Sequence, residues 1–273
     1  MMTIDKEHLM QDAQGEAEAF LRLRDLVSLL RAECPWDREQ DHKSLRPCFI
    51  EEAYEVAEAI DNDDPENLQE ELGDVLLQIL FHASLGEESG AFGLTGLING
   101  ICEKMIRRHP HVFSDADSKT VDKVLDKWEN IKREEHSEAS HSERLAAVPR
   151  ALPALIRSRK VQEKAARIGF DWESADGAFD KLSEEMTELA EACRSKDREQ
   201  AAEELGDVLF SVVNVSRFMK VNPEAALEAA TDKFIRRFRH IEAAAASRGV
   251  SLDEMELSEM DALWDQAKEL ERS

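Results

Sequence analysis

Apolar residues recur along this chain three and four positions apart, and nowhere is the alternation of a half-buried strand sustained between turn residues. The recurrence predicts helices over 16–33, 45–61, 65–87, 94–108 and 119–136, then over 153–167, 176–195, 197–220, 223–247 and 252–271. Within 65–87 the apolar stripe is Leu68, Leu72, Val75, Leu76 and Ile79; within 197–220 it is Leu205, Val208, Leu209 and Val212. On the helices before them, the apolar faces are Phe49, Ala53, Val56 and Ile60, and Met186, Leu189, Ala190 and Cys193. Glycine and proline are scarce, while alanine, leucine, glutamate and arginine dominate, which favours helix almost throughout. The expected fold class is all-α.

The pattern is written twice. Glu51-Glu52-Ala53-Tyr54-Glu55 and Glu70-Glu71-Leu72-Gly73-Asp74 return as Glu184-Glu185-Met186-Thr187-Glu188 and Glu203-Glu204-Leu205-Gly206-Asp207, at a constant offset of 133 residues. Cys34-Pro35-Trp36-Asp37 precedes the first acids as Gly169-Phe170-Asp171-Trp172 precedes the second. Lys104, Arg107 and Arg108 match Lys233, Arg236 and Arg237, and the stretch from Trp128 to Lys132 matches that from Trp264 to Lys268. Matched elements in the same order imply two tandem helical domains, 16–136 and 151–273. The polar stretch from His136 to Glu143 opens the linker expected over 137–150. Stripes such as Leu205 to Val215 leave apolar surface for a second subunit to cover, so each four-helix-type core is expected to be completed in a homodimer.

Charge narrows the partners. The 273 residues carry 35 Lys and Arg against 59 Asp and Glu, a net charge of −24 that repels nucleic acid and anionic lipid. An anionic substrate would need metal ions and focused cationic contacts. The four cysteines form no C-x-x-C pair or zinc-ligand spacing, which fits a reducing cytoplasm. Met1 to Gln14 is polar, with no apolar region of a signal peptide, and no apolar run is long enough to span a bilayer.

At 100° per residue, Glu51, Glu52, Glu55 and Glu58 crowd one helical face, as do Glu184, Glu185, Glu188 and Glu191. On the following helices, Glu71 and Asp74, and Glu204 and Asp207, are neighbours three apart beside the apolar stripe. One isolated E-E-x-x-E in so acidic a chain reads as a solvated face. The same acids duplicated on paired helices read as a site for a divalent cation, because like charges at close range otherwise repel or take up protons. Mg²⁺, or Mn²⁺, suits such oxygen donors; a di-iron bundle normally uses E-x-x-H, and neither cluster has it. Gly73 and Gly206 weaken their helices, which makes sense where another helix or a ligand comes close. Lys233, Arg236 and Arg237 share one helical face and suit the outer oxygens of a triphosphate, with ordinary ion pairing to glutamate as the rival reading. The tryptophans either stack on a base or fill cores and interfaces, packing being the default. His109 and His111 read as loop or capping residues. No Ser/His/Asp triad, phosphate loop or zinc signature is present.

These stretches, CPWD (34–37), EEAYE (51–55), EELGD (70–74 and 203–207), RRHPHVF (107–113), KAARIGFDW (164–172), EEMTE (184–188) and KFIRRF (233–238), resemble the MazG-type nucleoside triphosphate pyrophosphohydrolases, in their two-domain form, from about residue 21 to 270. The resemblance implies Mg²⁺-dependent dimers that cut NTPs, and dNTPs, between the α- and β-phosphates. It implies metal ligands at Glu185, Glu188, Glu204 and Asp207, with Glu184 nearby; for hydrolysis by a metal-bound water, Glu184 is then the spare carboxylate to orient that water or take its proton. Glu52, Glu55, Glu71 and Asp74 are the equivalent first-half positions. It implies phosphate contacts at Lys233, Arg236 and Arg237, nucleotide contact at Trp264, and counterparts at Lys104, Arg107 and Arg108. The acids are intact in both halves, and the resemblance tilts the activity towards the second. Alternatives are a house-cleaning hydrolase restricted to non-standard nucleotides and a nucleotide-binding regulatory module without turnover.

Overall fold

A computed structural model describes residues 6–113, 120, 131 and 140–272. Apart from residues 120 and 131, the helix expected over 119–136, with Trp128, lies outside the described residues, as do residues 137–139 of the expected linker. The chain divides into two compact units, Met1–Glu135 and His136–Ser273. Helices and turns account for the secondary structure of both, with no strand among the described residues. No helix among those residues is long and apolar enough to cross a membrane.

The first unit contains α1 (Lys6–Leu9), α2 (Glu16–Glu33), α3 (Pro35–Glu39), α4 (Arg46–Asp61), α5 (Pro65–Glu88), α6 (Leu94–Arg108) and α7 (Pro110–Phe113). Helices α4 and α5 form an antiparallel hairpin across a tight turn. The turn is set by Asp64, whose carboxylate accepts from the backbone N–H groups of Glu66 and Asn67 at 3.1 Å and so caps α5. Helix α2 lies across α5, and Val27, Leu45, Leu80, Phe81 and Leu85 form the core there. Arg31 is buried in this unit; it donates to both oxygens of Glu88, at 2.8 and 2.6 Å, and to the carbonyls of Asp37 and Gln40. That arginine ties the turn after α2 to the end of α5. At the α5–α6 corner Gly86 is closely covered: a Cβ there would fall 2.6 Å from the Phe92 ring.

The second unit contains α8 (His141–Ala146), α9 (Ala154–Ala166), α10 (Ala175–Ser195), α11 (Arg198–Phe218), α12 (Pro223–Arg248) and α13 (Leu257–Leu270). The hairpin recurs as α10 and α11, and Asp197 caps α11 through Glu199 and Gln200 as Asp64 caps α5. Helix α9 packs on α11 and α12, and α13 folds back on α12 over Ile241, Ala245, Met255 and Leu263. Gly249 ends α12 in the left-handed conformation, φ 68°, where a side chain would be strained.

Two segments depart from the sequence expectation. The stretch expected as linker, 137–150, holds α8, because Ser140 and Glu143 form a reciprocal capping box; Val148 after it is buried. The helix expected over 252–271 is broken into a 3₁₀ turn, Leu252–Glu254, and α13, because Met255 takes an extended backbone to reach the core and Glu256 caps the new helix.

The apolar sides named from the sequence are uncovered within the chain: Phe49, Ala53, Ile60, Met186 and Cys193 are exposed, as are Leu72 (52%) and Leu205 (49%), the last in the stripe expected to leave apolar surface. Burial follows a line of residues seven apart: Leu45, just before α4, with Glu52 and Ala59 on it, and Ala178, Glu185 and Ala192 on α10. Glu71, Gln78 and Leu85 line α5 and Glu204 and Ser211 line α11 in the same way. A seven-residue spacing keeps one seam facing the neighbouring helix. On α4 and α10 that line is apolar or small at its ends and carboxylate in the middle.

Candidate metal centre

The acids in the seam come together as a group. Carboxylate oxygens of Glu52, Glu55 and Glu71 lie within 4.8 Å of one another, and so do those of Glu185, Glu188 and Glu204. Each group takes two residues from one helix, three apart and hence one turn along, and a third from its antiparallel partner. Asp74 is close enough for its charge to act on both Glu52 and Glu71, and it is half-buried. Asp207, its repeat counterpart, is exposed and stands outside the second group of three.

Electrostatics record the crowding. Burial pushes the Glu52 carboxyl above the usual carboxylate range, and the charges of Asp74, Glu55 and Glu71 push it further. Burial raises Glu71 as well, with Glu55 and Asp74 next in effect. Glu188 is raised by burial first and then by Glu204 and Glu185, with Lys181 opposing. Lys181 was not singled out from the sequence. Its ammonium lies 2.7 Å from Glu185 and 3.0 Å from Glu184, and those bonds hold it firmly protonated. Its spacing, three and four residues before the glutamates, was the available signal. The repeat places Cys48 at the corresponding first-half position, so the first group has no such internal cation on α4.

This donor set fits a hard divalent cation. Every donor is a carboxylate oxygen, none is histidine or thiolate, and the repulsion within each group is what a 2+ charge relieves. Gly73 and Gly206 do not mark a close approach within the chain: a Cβ at either meets nothing within 4 Å.

The basic residues are placed differently. Arg237 donates to Glu271 at 2.9 and 2.7 Å, and Arg236 lies 3.9 Å from the same carboxylate. Glu271, also missed in the sequence, is held below the usual carboxylate range chiefly by the Arg237 hydrogen bond. The Arg237 guanidinium sits 5.4 Å from the Trp264 ring centre, and Trp264 packs against the α12–α13 core and Phe234. Lys233 is exposed on the same helix. Of the two sequence readings of the triad, ion pairing is the one seen at the arginines, while the lysine faces solvent. In the first unit Lys104 and Arg108 are half-buried at the end of α6, Arg107 is exposed, and His109 caps that helix through the Met105 carbonyl at 2.6 Å.

Comparison with known proteins agrees with this arrangement. The MazG nucleotide pyrophosphohydrolase domain matches residues 40–113 and again 174–242, each span containing one hairpin and one carboxylate group. The chain is similar to the nucleoside triphosphate pyrophosphohydrolase/pyrophosphatase MazG of Thermotoga maritima, 43% identical over 92% of this chain and 97% of that one. It is similar to the nucleoside triphosphate pyrophosphohydrolase of Escherichia coli K12, 40% identical over 87% and 91%. It is also 48% identical to the uncharacterized protein YabN of Bacillus subtilis, over 93% of this chain and 52% of that one.

Proposed function

This chain belongs to the MazG nucleotide pyrophosphohydrolase family, and on that premise we propose that it hydrolyses nucleoside triphosphates, NTP and dNTP, between the α- and β-phosphates to monophosphate and pyrophosphate with Mg²⁺. The observation that carries the reading is the second carboxylate group, built on the hairpin seam and lying within the span 174–242 of the family domain. Glu185, Glu188 and Glu204 would hold the cation, with Asp207 at the rim; Mn²⁺ suits the same oxygens. When bound, the cation supplies Lewis-acid polarisation of the phosphoryl group and a water of lowered pKa.

The chain's own residues divide the remaining work. Glu184 is exposed beside the group and is the residue to orient the attacking water and accept its proton. Lys181, now shared between Glu184 and Glu185, is freed for a phosphate oxygen once those acids have another cation to answer. Lys233, Arg236 and Arg237 neutralise charge growing on the pyrophosphate, the arginines exchanging Glu271 for phosphate. Lys104, Arg107 and Arg108 are their first-half counterparts.

The reading includes a homodimer, supported by the uncovered apolar faces, with Leu72, Leu205 and Leu209 among the residues it would cover. Four free cysteines accord with a reducing, cytoplasmic setting. Product analysis with ATP and Mg²⁺ tests the reading: AMP and pyrophosphate support it, and ADP with inorganic phosphate overturns it.

A further inference from the structure

The first hairpin carries a pair of histidines that the second lacks. His42 lies on the turn before α4 and His82 on α5; the repeat places Ala175 and Val215 at the same positions, 133 residues on. The two Nδ1 atoms are 2.8 Å apart, the ring centres 5.1 Å apart, and the ring planes within 10° of parallel. The distance between centres equals the nitrogen separation plus one ring radius at each end. Both nitrogens therefore lie on the line joining the rings and meet head-on, one donating and the other accepting. A metal ion on that line, at about 2 Å from each nitrogen, would hold them about 4 Å apart. A proton fits between them and a metal does not.

Aromatic rings flank the pair: Phe92 stacks on His42 with centres 6.2 Å apart, and Phe49 of α4 stands edge-on to His82 at 5.9 Å. Asp41 acts on His42 by charge and accepts from the backbone N–H groups of Lys43 and Ser44 at 2.7 and 2.8 Å. Lys43 is beside that carboxylate, and Arg46 is exposed four residues beyond His42. At the end of α5, Glu87 accepts from the Leu94 N–H and Glu88 from Arg31. Burial, and then charge on His42, holds His82 below the usual histidine value.

The number of protons decides whether the contact holds. Without an added proton the bond joins two neutral rings; with one, an imidazolium donates to an imidazole and the bond is charge-assisted. With two, both nitrogens carry hydrogens and both rings a positive charge, so the bond is lost and the rings repel. We propose that His42 and His82 form an acid-released latch, which holds the start of α4 on α5 and opens when the pair takes up its second proton. Leu45, three residues from His42, is buried in the core with Leu80 and Phe81, and α4 runs on from there to Glu52 and Glu55. Acid therefore loosens the helix that carries the first carboxylates. The second hairpin has no such response, because alanine and valine take no proton. His82, lowered in the folded chain, contributes stability that is present above its unfolded value of 6.5 and lost as pH falls through the lowered one.

The test is amide hydrogen exchange of the full chain at pH 7.5 and pH 5, corrected for the intrinsic effect of pH on exchange. Protection over 42–52 is expected to fall by about fivefold or more on acidification of the parent. The double variant His42→Ala/His82→Val, which copies the second hairpin, is expected to lose that dependence. An equal fall in parent and variant overturns the latch. Protection over 42–52 that Ni²⁺ raises in the parent and not in the variant also overturns it, by making the pair a metal clamp. A second measurement follows the labelled histidine rings by NMR. His82 is expected to titrate in two steps in the parent and in one step, shifted upwards, in His42→Ala. A His82 titration that His42→Ala leaves unaltered overturns the proposal. Should the double variant fail to fold by circular dichroism, His42→Ala, at an exposed position, decides alone.

Discussion

The ammonium of Lys181 lies 2.7 Å from Glu185, the buried member of the second carboxylate group, and Cys48 stands at the matching place in the first. The two copies of the hairpin therefore carry the same acids in different charge environments. Lys181 and a metal ion answer the same negative charge. Replacing Lys181 with Met is expected to tighten binding of Mn²⁺ alone to the second half by about fivefold. Turnover falls in the same variant, because the phosphate loses a cation. Calorimetry with Mn²⁺ and steady-state hydrolysis of ATP read the two effects; a variant that binds Mn²⁺ more weakly than the parent contradicts the assignment.

Loss of a ligand should tell the halves apart. Glu188→Gln is expected to lower kcat/KM for ATP with Mg²⁺ by at least about 100-fold, since even partners behind a ligand cost 10- to 100-fold. Glu55→Gln in the first half is expected to leave the rate within about twofold, because the proposal assigns turnover to the second half. Both variants should retain the helical circular dichroism of the parent. The reverse ranking moves the activity to the first hairpin.

The raised carboxyls set a pH dependence. Glu52, Glu71 and Glu188 hold protons in the folded chain at pH values where the unfolded chain, at the ordinary 4.5, has released them. Their contribution to stability is thus fully present below 4.5 and is lost as pH rises through the raised values. A cation bound between them offsets that loss. The rise in Tm on adding Mg²⁺ is therefore expected to be larger at pH 7.5 than at pH 5, by differential scanning calorimetry. The difference with and without Mg²⁺ is the quantity to follow, because Asp41, Glu88, Glu143 and Glu271 are shifted downwards and lose stability in the opposite direction, as pH falls. A Mg²⁺ effect independent of pH would leave these acids without a role.

Two glycines on one helix should respond oppositely to alanine. At Gly86 a new Cβ would lie 2.6 to 2.8 Å from the Phe92 ring, so Gly86→Ala is expected to cost about 1–3 kcal/mol. At Gly73 the space is open, and Gly73→Ala should add up to about 1 kcal/mol through helix propensity. Urea denaturation of the two variants compares them directly. If Gly73→Ala destabilises instead, a second chain covers that surface, and sedimentation will show it.

Helix positions were legible because periodicity and caps are local: Asp64 and Asp197 announce their helices within four residues. The orientation of the helices was not. A wheel drawn on α4 puts Phe49, Ala53 and Ile60 opposite the acids and invites burial of the apolar side. Hydrophobicity alone cannot say that the acids themselves occupy the seam, because what offsets their repulsion, a proton or a cation such as Lys181, does not show in an apolar pattern. Seven-residue spacing of Leu45, Glu52 and Ala59 was the readable clue, and it requires knowing which helix is the neighbour. Lys181 and Glu271 were overlooked for a related reason: each matters through a partner, Glu185 or Arg237, that acquires meaning only in three dimensions.

The shared seam has a consequence for how this protein can change. Leu45, Glu52 and Ala59, like Ala178, Glu185 and Ala192, stay on one line only while two turns of helix separate them. Inserting a single residue between Glu185 and Ala192 swings everything beyond it by about 100°, so the hairpin keeps either its carboxylates or its small contact residues in register, never both. The loops before and after α4 and α10 are free to lengthen. The count of residues within each helix is not.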